Sequence, residues 1–139
     1  LRGEEKVLEV GTGSGYQAAV LSKLAREVHS IERHSSLAAR AKLTLSELYI
    51  DNVHVHVGDG ALGLPDQAPF DAIAVTAATP QVPPALFEQL ALGGRLVLPV
   101  GPRRGQMLER WTKQDDGLER EAISPVAFVP LVTELDGTN

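Results

Sequence analysis

Ten residues near the start carry the densest chemistry: Val7-Leu8-Glu9-Val10-Gly11-Thr12-Gly13-Ser14-Gly15-Tyr16. A short apolar run, a glycine-rich turn and a helix start make a nucleotide-binding crevice, because residues without a Cβ let the backbone approach a ligand closely. Gly-x-Gly-x-Gly alone is a weak signal, and two details sharpen it. Tyr16 stands where the dinucleotide fingerprint wants a glycine or alanine. Glu9 lies two residues before the first glycine; a carboxylate there repels a pyrophosphate but suits a ligand bearing an ammonium and a sulfonium, as S-adenosylmethionine does. Glu32 follows Gly11 by 21 residues, near the offset at which an acidic side chain accepts from ribose hydroxyls. Asp59, within Gly58-Asp59-Gly60, could accept from an adenine amino group. These three carboxylates, at three successive strand ends, are expected to line a common hollow.

The elements that must position them alternate short β-branched runs with helical periodicity, which predicts βαβ units and a parallel sheet. Val7–Val10 is the first strand, and Ala18, Leu21, Leu24 and Ala25 mark one face of the helix after it. Val28–Glu32 is the second strand; Ser35 or Ser36 is the expected N-cap of a helix whose stripe is Leu37, Ala41, Leu45 and Leu48. Val53, Val55 and Val57 alternate with His54 and His56, which suits an edge strand with one wetter face. Phe70–Thr76 is the fourth strand. Pro83-Pro84 opens a helix with Leu86 and Leu90 inward, ended by Gly93-Gly94 before a fifth strand over Arg95–Val100. Gln106–Lys113, Asp115-Asp116-Gly117 and Leu118–Ile123 read as a β-hairpin, and the two prolines of Pro125–Val132 keep that stretch out of a central strand. The expected fold is α/β: a Rossmann-like, doubly wound, mostly parallel sheet with a C-terminal antiparallel hairpin, in one domain spanning 1–139.

Composition narrows the classes. A chain of 139 residues with 43% hydrophobic and 22% charged residues is an ordinary globular domain. A net charge of -5 argues against affinity built on phosphate neutralisation, and no apolar run is long enough to suggest a membrane helix. With no cysteine, disulfides, thiolate metal sites and cysteine nucleophiles drop out. The chain starts with Leu1 and enters a strand almost at once, so it is expected to be part of a longer polypeptide.

Several motifs together resemble the protein-L-isoaspartate (D-aspartate) O-methyltransferase family, of the Rossmann-like S-adenosylmethionine-dependent class. They are the Val7–Tyr16 block, Ser-Ile-Glu-Arg at 30–33, Val-Gly-Asp-Gly at 57–60, Ala-Pro-Phe-Asp-Ala-Ile at 68–73, Val-Thr-Ala-Ala at 75–78, Leu-Gly-Gly-Arg-Leu-Val-Leu-Pro-Val-Gly at 92–101 and Phe-Val-Pro-Leu at 128–131. The resemblance runs through nearly the whole chain. It implies S-adenosyl-L-methionine as cofactor, S-adenosyl-L-homocysteine as product, no metal, and isoaspartyl peptides and proteins as substrates. The site it implies contains Glu9, Gly11, Gly13, Glu32, Asp59 and Gly60, with Thr12, Ser14, Gly15, Arg33, Gly58 and Thr76 in the same candidate set. Val129, Pro130 and Leu131 are implied to help form the substrate cleft. The family's Ser/Thr segment that covers the cofactor and contacts the isoaspartyl group belongs to an N-terminal region upstream of this chain, so no catalytic residue is assigned. We expect a cytoplasmic monomer with neither nucleic acid nor membrane as partner.

The implied reaction is the transfer of a methyl group to the carboxylate of L-isoaspartyl and D-aspartyl residues, initiating repair. It requires no catalytic base, since a carboxylate with a reference pKa near ~4 is already ionised. Val75-Thr76-Ala77-Ala78 offers one hydroxyl and no carboxylate, which speaks against amine methylation. Two alternatives stay open: a methyltransferase of the same fold acting on another carboxylate or small molecule, and a truncated cofactor-binding module without catalysis. Plainer readings fit the other conspicuous residues. His29, His34, His54 and His56 lack acidic partners at metal-ligand spacing, although His34 could reach an adenine. Trp111 reads as a packing anchor, Arg103 and Arg104 as solvated, and Asp71 as structural.

Overall fold

The computed structural model describes residues 2–102, 104–131 and 133. The strands are β1 (Lys6–Val10), β2 (Glu27–Glu32), β3 (Val53–Val57), β4 (Phe70–Val75), β5 (Leu90–Val100), β6 (Gln106–Gln114) and β7 (Gly117–Val126). They form one sheet in the order β3-β2-β1-β4-β5-β6-β7. Pairings from β3 through β5 are parallel, and β6 and β7 add an antiparallel ribbon. The order reverses between β1 and β4, and that switch point is where an open α/β sheet leaves a crevice at its carboxyl ends. The expected strand at 53–57 is an edge, as its alternation indicated.

Three helices, α1 (Tyr16–Ser22), α2 (Ser35–Glu47) and α3 (Pro84–Glu88), cover the sheet. On one face Leu8, Val10, Ile31, Phe70, Ile73, Leu96 and Leu98 pack with Leu86 of α3. On the other, Val7 and Val28 meet Ala25, and Val55 meets Ala38 and Leu45 of α2. Each fully buried aliphatic side chain contributes roughly 1.5–3 kcal/mol. The α1/α2 side is fully covered only over β1–β3: Ala72, Ala74 and Val97 stay half-buried, and Tyr16, Val20 and Leu24 are exposed beside them. Among the described residues no helix is long and apolar enough to cross a membrane.

Helix ends differ from the sequence reading for local reasons. α1 stops at Ser22, leaving Leu24 48% exposed. Ser22 Oγ donates back to Ala19 O at 2.6 Å, a bond that competes with continuation of the helix, and Asn52 Nδ2 donates to Ser22 O at 2.8 Å. His34, not a serine, is the N-cap of α2, and it makes no side-chain cap bond. The Glu32 carboxylate instead accepts the His34 N–H. The buried stripe of α2 is Ala38, Ala41 and Leu45, while Leu48 lies past the helix and is exposed. There the chain turns left-handed at Tyr49 (φ 57°), with Tyr49 N bonding Ser46 O and Ile50 N bonding Leu45 O, the pattern of a Schellman end.

α3 ends at Glu88, so Leu90 belongs to β5 and Gly93-Gly94 lie inside that strand. The register against β4 jumps from Phe70↔Leu90 to Ala72↔Arg95, a wide bulge. Glycine serves here because Gly93 has φ +81° and a Cβ on Gly94 would stand 2.8 Å from Ala91 O. The β6–β7 hairpin follows the expectation, and Trp111 is an anchor: its ring meets Phe87 edge-on at 5.0 Å. Asp71 is structural, accepting the Lys6 N–H at 2.9 Å.

Candidate active site

The carboxyl ends of β1, β2 and β4 border a cavity of about 330 Å³. Gly11, Gly13, Glu32, Arg33, Gly60, Thr76, Val129, Pro130 and Leu131, all candidates from the sequence, line it. The glycine loop is tied to β2: Gly11 N donates to Ile31 O at 2.9 Å, and Gly13 N donates to Glu32 Oε1 at 3.0 Å. Gly11 is required by its φ of +102° and by its neighbour, since a Cβ there would lie 2.6 Å from Thr76 Oγ1. The Thr76 hydroxyl is shared between Val10 O and Gly11 O, each at 3.1 Å, which locks the end of β4 to the start of the loop. Gly60 has no room either: a Cβ would stand 2.2 Å from Val10 Cγ1.

Glu32 is the carboxylate that faces the cavity. One oxygen accepts from Gly13 N and the other from His34 N at 2.9 Å. Each oxygen keeps a further acceptor position, so the group can hold backbone and bind hydroxyls at once.

The expectation that Glu9, Glu32 and Asp59 share one hollow is not met. Glu9 is fully buried on the α1/α2 side of β1, opposite Ser30. Ser30 Oγ donates to Glu9 Oε1 at 2.6 Å, and Thr12 Oγ1 contacts Ser30 Oγ at 2.5 Å, so Thr12 also faces inward behind the loop. Strand alternation is the cause: Val10 points to the cavity and Glu9 to the opposite face. Glu9 Oε2 is buried without a partner among the described residues, and burial pushes this carboxyl up to about 7, against the opposing Ser30 bond.

Asp59 is occupied at the rim. Oδ1 accepts Ala61 N at 3.0 Å, capping a short helical turn, and Oδ2 accepts from the Thr133 hydroxyl at 2.8 Å. Arg33 Nη1 lies 3.9 Å from the same carboxylate. Ser14 is exposed, Gly15 packs its backbone toward Ala41 as the left-handed N-cap of α1, and Gly58 N donates to Glu32 O at 3.0 Å; none of these three lines the cavity. Val10, Ile31, His34, Leu37 and Ala77 also line it, beyond the site residues expected from the sequence. The position of His34 two residues after Glu32 signals its place, whereas Leu37 reads only as part of a helix stripe.

Residues 128–131 close the far side. Ala78 N donates to Val129 O at 2.7 Å and Leu131 N donates to Ala78 O at 2.8 Å, so this strap adds itself to the end of β4. Leu131 also borders a second cavity of about 260 Å³ with Ala61, Thr79, Pro80 and Thr133, where Thr79 Oγ1 is buried without a partner among the described residues. Arg104 is exposed as expected; Arg103 and Val132 lie outside the described residues.

Three histidines of β2 and β3 stack together. His29 is buried, with its Nε2 against the Glu27 carboxylate and its Nδ1 3.1 Å from His56 Nε2. The His54 and His56 rings stack on it with centroids 5.0 and 5.3 Å away. Glu27 is therefore the acidic partner that the spacing did not reveal. No group able to hold a metal ion is found among the described residues.

Strand order, glycine loop and the acidic end of β2 define a Rossmann-like methyltransferase fold. Comparison with known proteins agrees. Over residues 1–136 the chain matches the family model described as Protein-L-isoaspartate(D-aspartate) O-methyltransferase (PCMT), and it belongs to that family. It is 55% identical over 132 residues to protein-L-isoaspartate O-methyltransferase 1 of Syntrophobacter fumaroxidans, covering 95% of this chain and 62% of that relative. It is 58% identical to the Anaeromyxobacter dehalogenans protein-L-isoaspartate O-methyltransferase, covering 94% of this chain and 64% of that one. A solved protein-L-isoaspartate O-methyltransferase superimposes with a TM-score of 0.90 at 33% identity, covering 97% of this chain and 44% of that structure. A Plasmodium falciparum structure, described as a beta-aspartate methyltransferase (PCMT) in complex with S-adenosyl-L-homocysteine, gives a TM-score of 0.76 at 25% identity, covering 94% of this chain and 66% of that one. The chain thus spans about three fifths of the length of the curated relatives named here.

Proposed function

We propose that the protein of which this chain forms the cofactor-binding part transfers a methyl group from S-adenosyl-L-methionine to the free carboxylate of L-isoaspartyl and D-aspartyl residues. The resulting ester would collapse to a succinimide, which reopens in part to normal aspartate, so that damaged proteins are repaired. The observation that carries this reading is the Glu32 carboxylate, fixed by two backbone N–H groups on the wall of a cavity whose far side is the 129–131 strap.

The residues fit the donor. Gly11 and Gly60 leave backbone bare where a side chain would collide, so an adenosyl group could approach closely. Glu32 would take the ribose hydroxyls with its remaining acceptor positions. Bound S-adenosylmethionine supplies an electrophilic methyl on a sulfonium, which an ionised carboxylate accepts without first losing a proton. The protein's share is then alignment, and positioning of this kind can supply roughly 7–11 kcal/mol. Leu131, shared by the two cavities, would wall the passage from donor to acceptor. The acidic balance supports peptides rather than nucleic acid as partners, and we infer a cytoplasmic monomer.

The test offers the complete protein labelled S-adenosylmethionine and matched isoaspartyl and aspartyl peptides. Label in the isoaspartyl peptide alone is expected. Equal labelling of both peptides, or of neither, would defeat the proposal.

A further inference from the structure

Among the described residues, the 128–131 strap is held by hydrogen bonds to Ala78 and to one side chain, and by Leu131 packing against the core. Phe128 is 38% exposed and Val129 72%, so the side chains of its first two residues do not anchor it in the core. Pro130 lacks an N–H, which leaves Ala78 as the partner on the β4 side, through Val129 O and Leu131 N. The other attachment is a side chain. Gln106, at the first position of β6 and 2% exposed, accepts the Phe128 N–H on Oε1 at 2.7 Å and donates from Nε2 to Phe128 O at 3.0 Å. Its own backbone pairs with Val126, the last residue of β7. One glutamine therefore extends the ladder by two residues with its amide, gripping the chain where it leaves the sheet and turns toward the cavity.

The geometry points to Gln106 as a positioning residue for the acceptor side: it sets the strap that walls both cavities, and so governs how well a peptide is held without touching the reacting atoms. This inference rests on the proposed function for its kinetic consequence but not for its structural one. A glutamine is specified because the pair needs a donor and an acceptor on one planar group. An ionised glutamate keeps the acceptor, loses the donor, and sets an anionic oxygen against the Phe128 carbonyl. Methionine keeps the length and loses both bonds.

In the complete protein, Gln106→Glu and Gln106→Met should each raise KM for an isoaspartyl peptide about tenfold while kcat stays within about twofold, as expected for lost ground-state binding. Amide hydrogen exchange should accelerate at Phe128 and Leu131 at least about tenfold, with the amides of β1 and β4 unchanged. Protonation gives the glutamate an O–H donor, so lowering pH toward 4 should restore protection at Phe128 in Gln106→Glu but not in Gln106→Met. Unchanged strap exchange would overturn the inference, and so would kcat falling with KM constant. Protection lost across the whole sheet in both variants would reduce Gln106 to a general stabiliser and also overturn it. If the unaltered protein methylates no isoaspartyl peptide, the functional reading falls, while exchange at Phe128 still decides what Gln106 does.

Discussion

Replacing Glu9 with glutamine should make the protein less sensitive to rising pH. In the fold this carboxyl is lifted from 4.5 to about 7 by burial, so the folded state holds a proton that the unfolded state has already released. The stability contribution is complete below pH 4.5, falls as pH rises, and is fully lost above 7. At about 1.36 kcal/mol for each pH unit separating the two values, the loss is about 3 kcal/mol, of which about 2.5 kcal/mol falls between pH 5 and pH 8. Glutamine keeps the acceptor for Ser30 Oγ but puts an unpartnered N–H where Oε2 now sits, a cost of about 1–3 kcal/mol that does not vary with pH. The informative quantity is therefore the stability gap between Glu9→Gln and the unaltered protein, followed by urea denaturation with far-ultraviolet circular dichroism at pH 5, 6, 7 and 8. It should move by about 2.5 kcal/mol in favour of the variant across that range. Histidine titrations occur in both proteins and cancel. A gap constant within about 0.5 kcal/mol would refute the reasoning and mean that Glu9 is ionised in the fold at pH 5.

Other perturbations probe separate parts of the fold. Gly60→Ala should destabilise by about 1–3 kcal/mol through overpacking against Val10 Cγ1, and Val10→Ala in the same chain should recover part of that loss; additive costs in thermal melts would show that the two do not compete. Burial holds the His29 and His56 imidazoles below their ordinary value, with Glu27 opposing this at His29 and the neighbouring His54 and Lys6 or Lys42 reinforcing it. Their contribution should be complete above about pH 6.5 and fade as pH falls below it, and His29→Gln should flatten that acid limb in denaturant titrations. Tyr49→Gly relieves a left-handed residue that is 94% exposed and should stabilise by about 0.5–1 kcal/mol, since the αL penalty exceeds the added freedom of an unfolded glycine; a lower melting temperature would contradict it.

Much of this arrangement can be read in the residues, because its causes are local. Alternating valines and histidines at 53–57 mark an edge strand, and Asp115-Asp116-Gly117 fixes the hairpin. The failures come from distance or from ambiguous punctuation. Asn52 caps α1 from thirty positions away, and nothing near Ser22 announces it. Gly93-Gly94 after a helical stretch fits a helix stop and a bulge equally well, and the pairing with β4 decides between them. In the site, Glu32 and the glycine loop were legible from spacing. The offset of Glu9 from Gly11 points to the cavity, but its parity on the strand turns it away from the cavity that Val10 lines. Gln106 gave no signal, since an amide at the start of a strand is unremarkable until its partner is seen.

The antiparallel ribbon also separates two tasks along the chain. Residues lining the cavity from the sheet side lie between Val10 and Ala77, whereas the opposing wall is delivered by a hairpin detour that leads from β5 through β6 and β7 to residues 129–131. The ribbon meets that wall at its root, through Gln106, so changes at its distant turn, including altered length, can accumulate without disturbing the glycine loop and Glu32. In such a scaffold the wall at residues 129–131 can be re-aimed by substitutions at the ribbon's root while the glycine loop and Glu32 keep their places.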